Sequence, residues 1–92
     1  MRRLAPLFLA LPLFAVTGGD VMDKMTEKEQ SAYISGAVDM MITQDEARAA
    51  CVQSWYYAKD GAAQKLIAQA LTQYRDKQAT VILKALVKKQ CQ

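Results

Sequence analysis

The sequence predicts an all-α protein, a small bundle of three to five helices stapled by a disulfide between Cys51 and Cys91. Three observations carry that expectation. Apolar residues after Glu29 recur at spacings of one, three and four, and no stretch alternates as a strand would. A threonine followed three residues later by a glutamate, the pattern of a helix-capping box, occurs at Thr26/Glu29 and again at Thr43/Glu46. The two cysteines lie in the second half of a chain that opens like an exported protein.

The opening has Arg2 and Arg3, then an apolar stretch over residues 4–16, then the small or polar Thr17, Gly18, Gly19 and Asp20. This is the three-part layout of a secretory signal peptide. A membrane-spanning helix needs roughly 20 apolar residues, and this stretch is shorter and holds both prolines of the chain, Pro6 and Pro12. A peptidase that wants small residues at the minus-three and minus-one positions could use Ala15 with Thr17, or Val16 with Gly18. The expected organisation is therefore a signal peptide over 1–18 and one helical domain over 19–92. No cysteine follows the apolar run, which disfavours a lipid anchor.

The first long helix is expected to start at Thr26 and to bury Tyr33, Ile34, Ala37, Val38, Met41 and Ile42. Thr43 with Glu46 offers a second start, leading to Ala47, Ala50 and Cys51, and the sequence leaves open whether one helix runs straight through Thr43. Lys59-Asp60-Gly61 reads as a turn, after which Leu66, Ile67, Ala70, Leu71 and Tyr74 form the stripe of the next helix. Asp76 is placed to cap a last helix whose apolar residues, from Ala79 to Val87, cover most of its circumference. Such a helix belongs at the centre of the packing or at an interface with another chain.

A domain this small buries a limited share of its surface. Bridging Cys51 to Cys91 would close a loop of about 40 residues, for which the chain-entropy model gives about 4 kcal/mol. Free thiols or a cross-link between chains are the alternatives that two cysteines allow.

Charge and composition exclude more than they nominate. The chain carries net charge +3, and without the two leader arginines it has 10 Lys and Arg against 9 Asp and Glu, or +1. Lys84, Lys88 and Lys89 gather near the end, but no aromatics interleave them as a nucleic-acid groove would want, and lysines in a last helical turn offset the helix dipole. There is no histidine, so the usual neutral-pH general base and commonest metal ligand are missing. Two cysteines alone cannot make a thiolate zinc site, and no Gly-rich phosphate loop is present. The carboxylate pairs Glu27/Glu29 and Asp45/Glu46 sit where helices start, a capping role rather than acid–base chemistry. No catalytic residue, metal or cofactor is expected.

Two features point instead to recognition. Trp55-Tyr56-Tyr57 follows Cys51, and such aromatics supply apolar area with a polar handle. Trp55 is expected beside the disulfide and one tyrosine at the surface. Gly36 falls inside the first helix, where glycine costs about 1 kcal/mol relative to alanine, so close approach of another helix is expected there.

Tyr33, Gly36 and Asp39 on the first helix, Cys51 with its aromatic segment, a helix ending near Tyr74 and an apolar helix ending in Cys91 together resemble the Rap/Tai family of small exported helical proteins. The likeness spans residues 29–91. Members often carry a proline and glycine segment after the first cysteine, where this chain has Val52-Gln53-Ser54-Trp55. Characterised members are immunity proteins of bacterial type VI secretion systems, which block amidase effectors that cut peptidoglycan in the periplasm. The resemblance implies a periplasmic, non-enzymatic, effector-binding protein, here with a partner surface around Tyr56, Tyr57, Lys59 and Asp60. The alternatives of another class are an acid-stress chaperone of the Hde kind, driven by protonation of three glutamates and six aspartates, and an envelope module that forms a homodimer through its last helix.

Overall fold

Thr26 starts the first long helix through the box its sequence spells: its hydroxyl accepts from the Glu29 amide at 3.2 Å, and the Glu29 carboxylate accepts from the Thr26 amide at 2.9 Å. The computed structural model describes residues 16–92, and in it this helix, α1, spans Glu27–Gln44. It is preceded by a π-helical turn at Asp20–Lys24 and followed by α2 (Glu46–Tyr56), α3 (Ala62–Gln73) and α4 (Ala79–Gln90). The all-α bundle and its Cys51–Cys91 bridge are present as expected.

The break left open near Thr43 lies at Asp45. Thr43 is inside α1, its hydroxyl donating to the Asp39 carbonyl one turn back, so it cannot cap the next helix. Asp45 takes that role: its amide closes α1 on the Met41 carbonyl, and its carboxylate accepts from the Arg48 amide at the start of α2. The expected Thr43/Glu46 box is thus replaced by one non-helical residue that ends one helix and begins its successor. The turn after α2 matches expectation. Gly61 has φ +72°, a conformation only glycine adopts freely, and the Asp60 carboxylate accepts from the Ala62 amide at 3.0 Å.

Asp76 does not cap α4. The helix starts at Ala79, and Gln78 before it makes no side-chain cap. The first amide is satisfied from elsewhere: Ala79 N–H, fully buried, donates to the Val16 carbonyl at 2.8 Å. Thr17 pairs with Gln78 in an antiparallel bridge, and the Gly18 and Gly19 amides donate to the Lys77 and Arg75 carbonyls at 2.9 and 3.0 Å. A Cβ on Gly18 would overlap the Leu71 carbonyl oxygen. Of the expected signal peptide, residues 1–15 lie outside the described residues; the remaining three, Val16 to Gly18, pack against the connection between α3 and α4.

The core runs through Val21 of the π turn, Val38 of α1, Val52 and Tyr56 of α2, Ile67 and Leu71 of α3, and Ile82, Leu83 and Val87 of α4. Helix α4 packs against all three other helices, the central place its apolar circumference predicts, although Val81 on its outer side stays 55% exposed. Its far end is fixed by the bridge, with Cys91 buried, and by Arg48, whose Nε donates to the Cys91 carbonyl at 2.9 Å. Arg48 also pairs with Asp45, which holds that carboxyl below the usual carboxylate range.

Reduction, or Cys51→Ser with Cys91→Ser, is expected to destabilise the fold by about 4 kcal/mol, read as a lower melting temperature by circular dichroism. Because the Asp45 pKa is lowered, the folded state favours the charged form. Its contribution is present above the ordinary carboxylate pKa of about 3.9 and is lost as pH falls through the folded value. Asp45→Asn keeps a capping oxygen while removing the charge. Urea midpoints of the two proteins should differ at pH 7, with the variant lower, and converge towards pH 2.

Candidate functional site

Helix α1 has one side in the core, through Val38, Ala37 and Ile34, and the opposite arc at the surface. Where that arc meets α4 there is an open apolar groove of about 600 Å³, walled by Tyr33, Gly36, Met40 and Met41 from α1 and by Thr80 and Lys84 from α4. Met40 is 58% exposed on its rim. Tyr33 is in the wall; its hydroxyl is shielded from solvent, has no hydrogen-bond partner among the described residues, and burial pushes its phenol pKa up. An orphaned buried hydroxyl is a cost to the fold.

Gly36 departs from its expectation. Among the described residues a Cβ built there meets nothing within 4 Å, so none of α2, α3 and α4 approaches it closely. The residue stands in mid-helix at an open surface, destabilising the helix with no compensation inside the fold.

The aromatic segment divides sharply. Tyr56, expected at the partner surface, is a core residue at 4% exposure, its hydroxyl sharing a 3.1 Å hydrogen bond with Ser35 on α1. The reason is register: Tyr56 lies four residues after Val52 and shares its inward face of α2. Tyr57, at the end of that helix, is 53% exposed. Its ring stands edge-on to Tyr56, centroids 4.9 Å apart, and its hydroxyl donates to Asp39 at 3.1 Å. That hydrogen bond, aided by partial desolvation and the carboxylate's charge, pushes the Tyr57 phenol pKa up. Trp55 is half-buried against the core. Lys59 and Asp60 are exposed in the following turn, with Asp60 occupied in starting α3.

Tyr33, Gly36 and Asp39 therefore fall on one stretch of α1, the first two in the groove and the third one helical turn on, holding Tyr57. Tyr56 takes a positioning role beneath Tyr57. What sequence reasoning missed is the groove's second wall, Thr80 and Lys84, because no local spacing links α4 to α1. A usable signal was Ala32, Gly36 and Met40 at four-residue spacing, which share a helix face that the core pattern does not claim. Among the described residues no three His, Cys, Asp or Glu side chains assemble as a metal set, and no helix is long and apolar enough to cross a membrane.

Comparison of the chain with protein-family models, curated proteins and solved structures finds no match.

Because Gly36 has open space beside it, Gly36→Ala is expected to stabilise the fold by about 1 kcal/mol. A urea or thermal titration reads this directly. A loss of stability would place an intramolecular constraint at the position.

Proposed function

We propose that this chain is an exported partner-binding protein of the immunity type, which occludes a peptidoglycan-cutting amidase effector of a type VI secretion system in the periplasm. The single observation that carries the reading is what lies along the exposed arc of α1, on the two flanks of Gly36. A mid-helix glycine with nothing beside it among the described residues, the Tyr33 side chain and an exposed methionine line a groove, one turn from an aromatic ring pinned by a carboxylate. Each feature is unfavourable or idle in the isolated fold and useful under a partner. Glycine admits close approach, and Met40 and Tyr57 supply apolar area with an adaptable and a polar component. The disulfide and the Asp39–Tyr57 bond support this role by limiting the ordering needed on binding. The family resemblance supplies the class of partner, and the mechanism is steric: the face around Tyr57 and the groove covers a hydrolase cleft, with no chemistry of its own.

The test is capture of stoichiometric companions by a C-terminally tagged chain exported in its native host, followed by inhibition of the companion with purified protein. Gly36→Leu, whose Cβ has open space in the free protein, is expected not to lower stability and to weaken the complex at least ~10-fold; Tyr57→Ala should also weaken it. A complex indifferent to both substitutions would remove the face from the reading. No companion at neutral pH together with suppression of client aggregation at pH 2 to 3 would favour the acid-chaperone alternative, and a dimeric mass in solution without companions would favour the envelope module.

A further inference from the structure

We propose that export processing cuts the bond between Ala15 and Val16, so that residues 16–19 remain in the mature protein as a working part of its fold. The proposal rests on the leader reading of the first residues and is independent of what the mature protein binds.

By composition alone a cut after Thr17 or Gly18 suits both recognition positions, whereas a cut after Ala15 has a small residue at minus one but Leu13 at minus three. The fold separates these choices. A cut after Thr17 discards the Val16 carbonyl, and with it the partner of the fully buried Ala79 amide that opens α4. It also discards the Thr17 carbonyl that accepts from Val21 at 3.1 Å. The reciprocal Thr17/Asp20 pair goes too, in which the Thr17 amide donates to the Asp20 carboxylate at 3.0 Å and the Asp20 amide to the Thr17 hydroxyl at 3.1 Å. That pair ties Thr17 to the first residue of the π turn that carries Val21 into the core. A cut after Gly18 further discards the 2.9 Å bond from the Gly18 amide to the Lys77 carbonyl. A cut before Val16 keeps every one of these contacts.

Gly18 adds an independent argument. Its side-chain position is filled by the Leu71 carbonyl and lies 3.2 Å from the Ile82 methyl, so no larger residue fits. That fit is of use only to a residue that stays in the folded product. The reaction is an ordinary peptide hydrolysis by a leader peptidase: water adds across the amide, Ala15 leaves as a carboxylate and Val16 gains the new ammonium group.

The experiment exports the full chain with a C-terminal tag from a Gram-negative host, then reads the N-terminal sequence and intact mass of the recovered protein. The expected start is Val16-Thr17-Gly18. A start at Gly18 or Gly19 overturns the proposal, as does a product that still begins at Met1, which would also remove the leader reading. Partner capture by that same product separates either failure from that of the immunity reading. A second measurement fuses an unrelated cleavable leader directly before Val16 or before Gly19. The Gly19 form is expected to melt about 5–15 °C lower than the Val16 form, or to fail to accumulate folded. Equal melting temperatures would overturn the structural role of residues 16–18.

Discussion

Helix α4 is held at both ends by residues distant in the chain, and the packing of the other helices depends on that restraint. At its start the Ala79 amide is taken by the Val16 carbonyl; at its end Cys91 is bonded to Cys51 and its carbonyl is taken by Arg48. Because α4 touches α1, α2 and α3, fixing its two ends fixes the relative placement of all three. A domain this small has a thin margin from apolar burial alone, so covalent closure and complete backbone pairing at the central helix matter more than they would in a larger core.

The same restraint prepares a surface. Helix α2 is tied through Cys51 to the end of α4; Tyr56, in register with Val52, turns inward onto Ser35, and the next residue, Tyr57, leaves the core. Asp39 then pins the exposed ring. On the other side of the same stretch of α1, the contact with α4 stops short of Gly36 and leaves a groove instead of a packed seam. The face is therefore a by-product of how the helices are anchored, and it keeps features that the isolated fold has no use for. That mismatch between local cost and local benefit supports a reading as a recognition surface.

Much of this was legible in the residues because it depends on near neighbours. The Thr26/Glu29 box, the Asp60-Gly61 turn and the stripe of α3 through Ile67, Ala70 and Leu71 are each decided within four or five positions, by hydrogen-bond reach, by the conformational freedom of glycine and by helical period. Tyr74, expected in that stripe, stands past the helix end and is exposed. The candidate face was half legible. Tyr33, Gly36, Asp39 and Tyr57 could be singled out as types, but the assignment of Tyr56 to the surface failed, since one residue along a helix turns a side chain by about 100° and only packing decides which of two adjacent tyrosines is inside.

By itself the sequence determined the helical class, the single possible intramolecular bridge and the chemistry missing without histidine. Packing in three dimensions sets where one helix stops and the next begins at Asp45, which donor and acceptor serve the start of α4, and that Gly36 faces open space among the described residues while Gly18 faces a carbonyl. The physical reason is distance along the chain. Val16 and Ala79, or Met40 and Lys84, meet only after folding, and whether a glycine is needed for close approach depends on atoms that no local pattern places beside it.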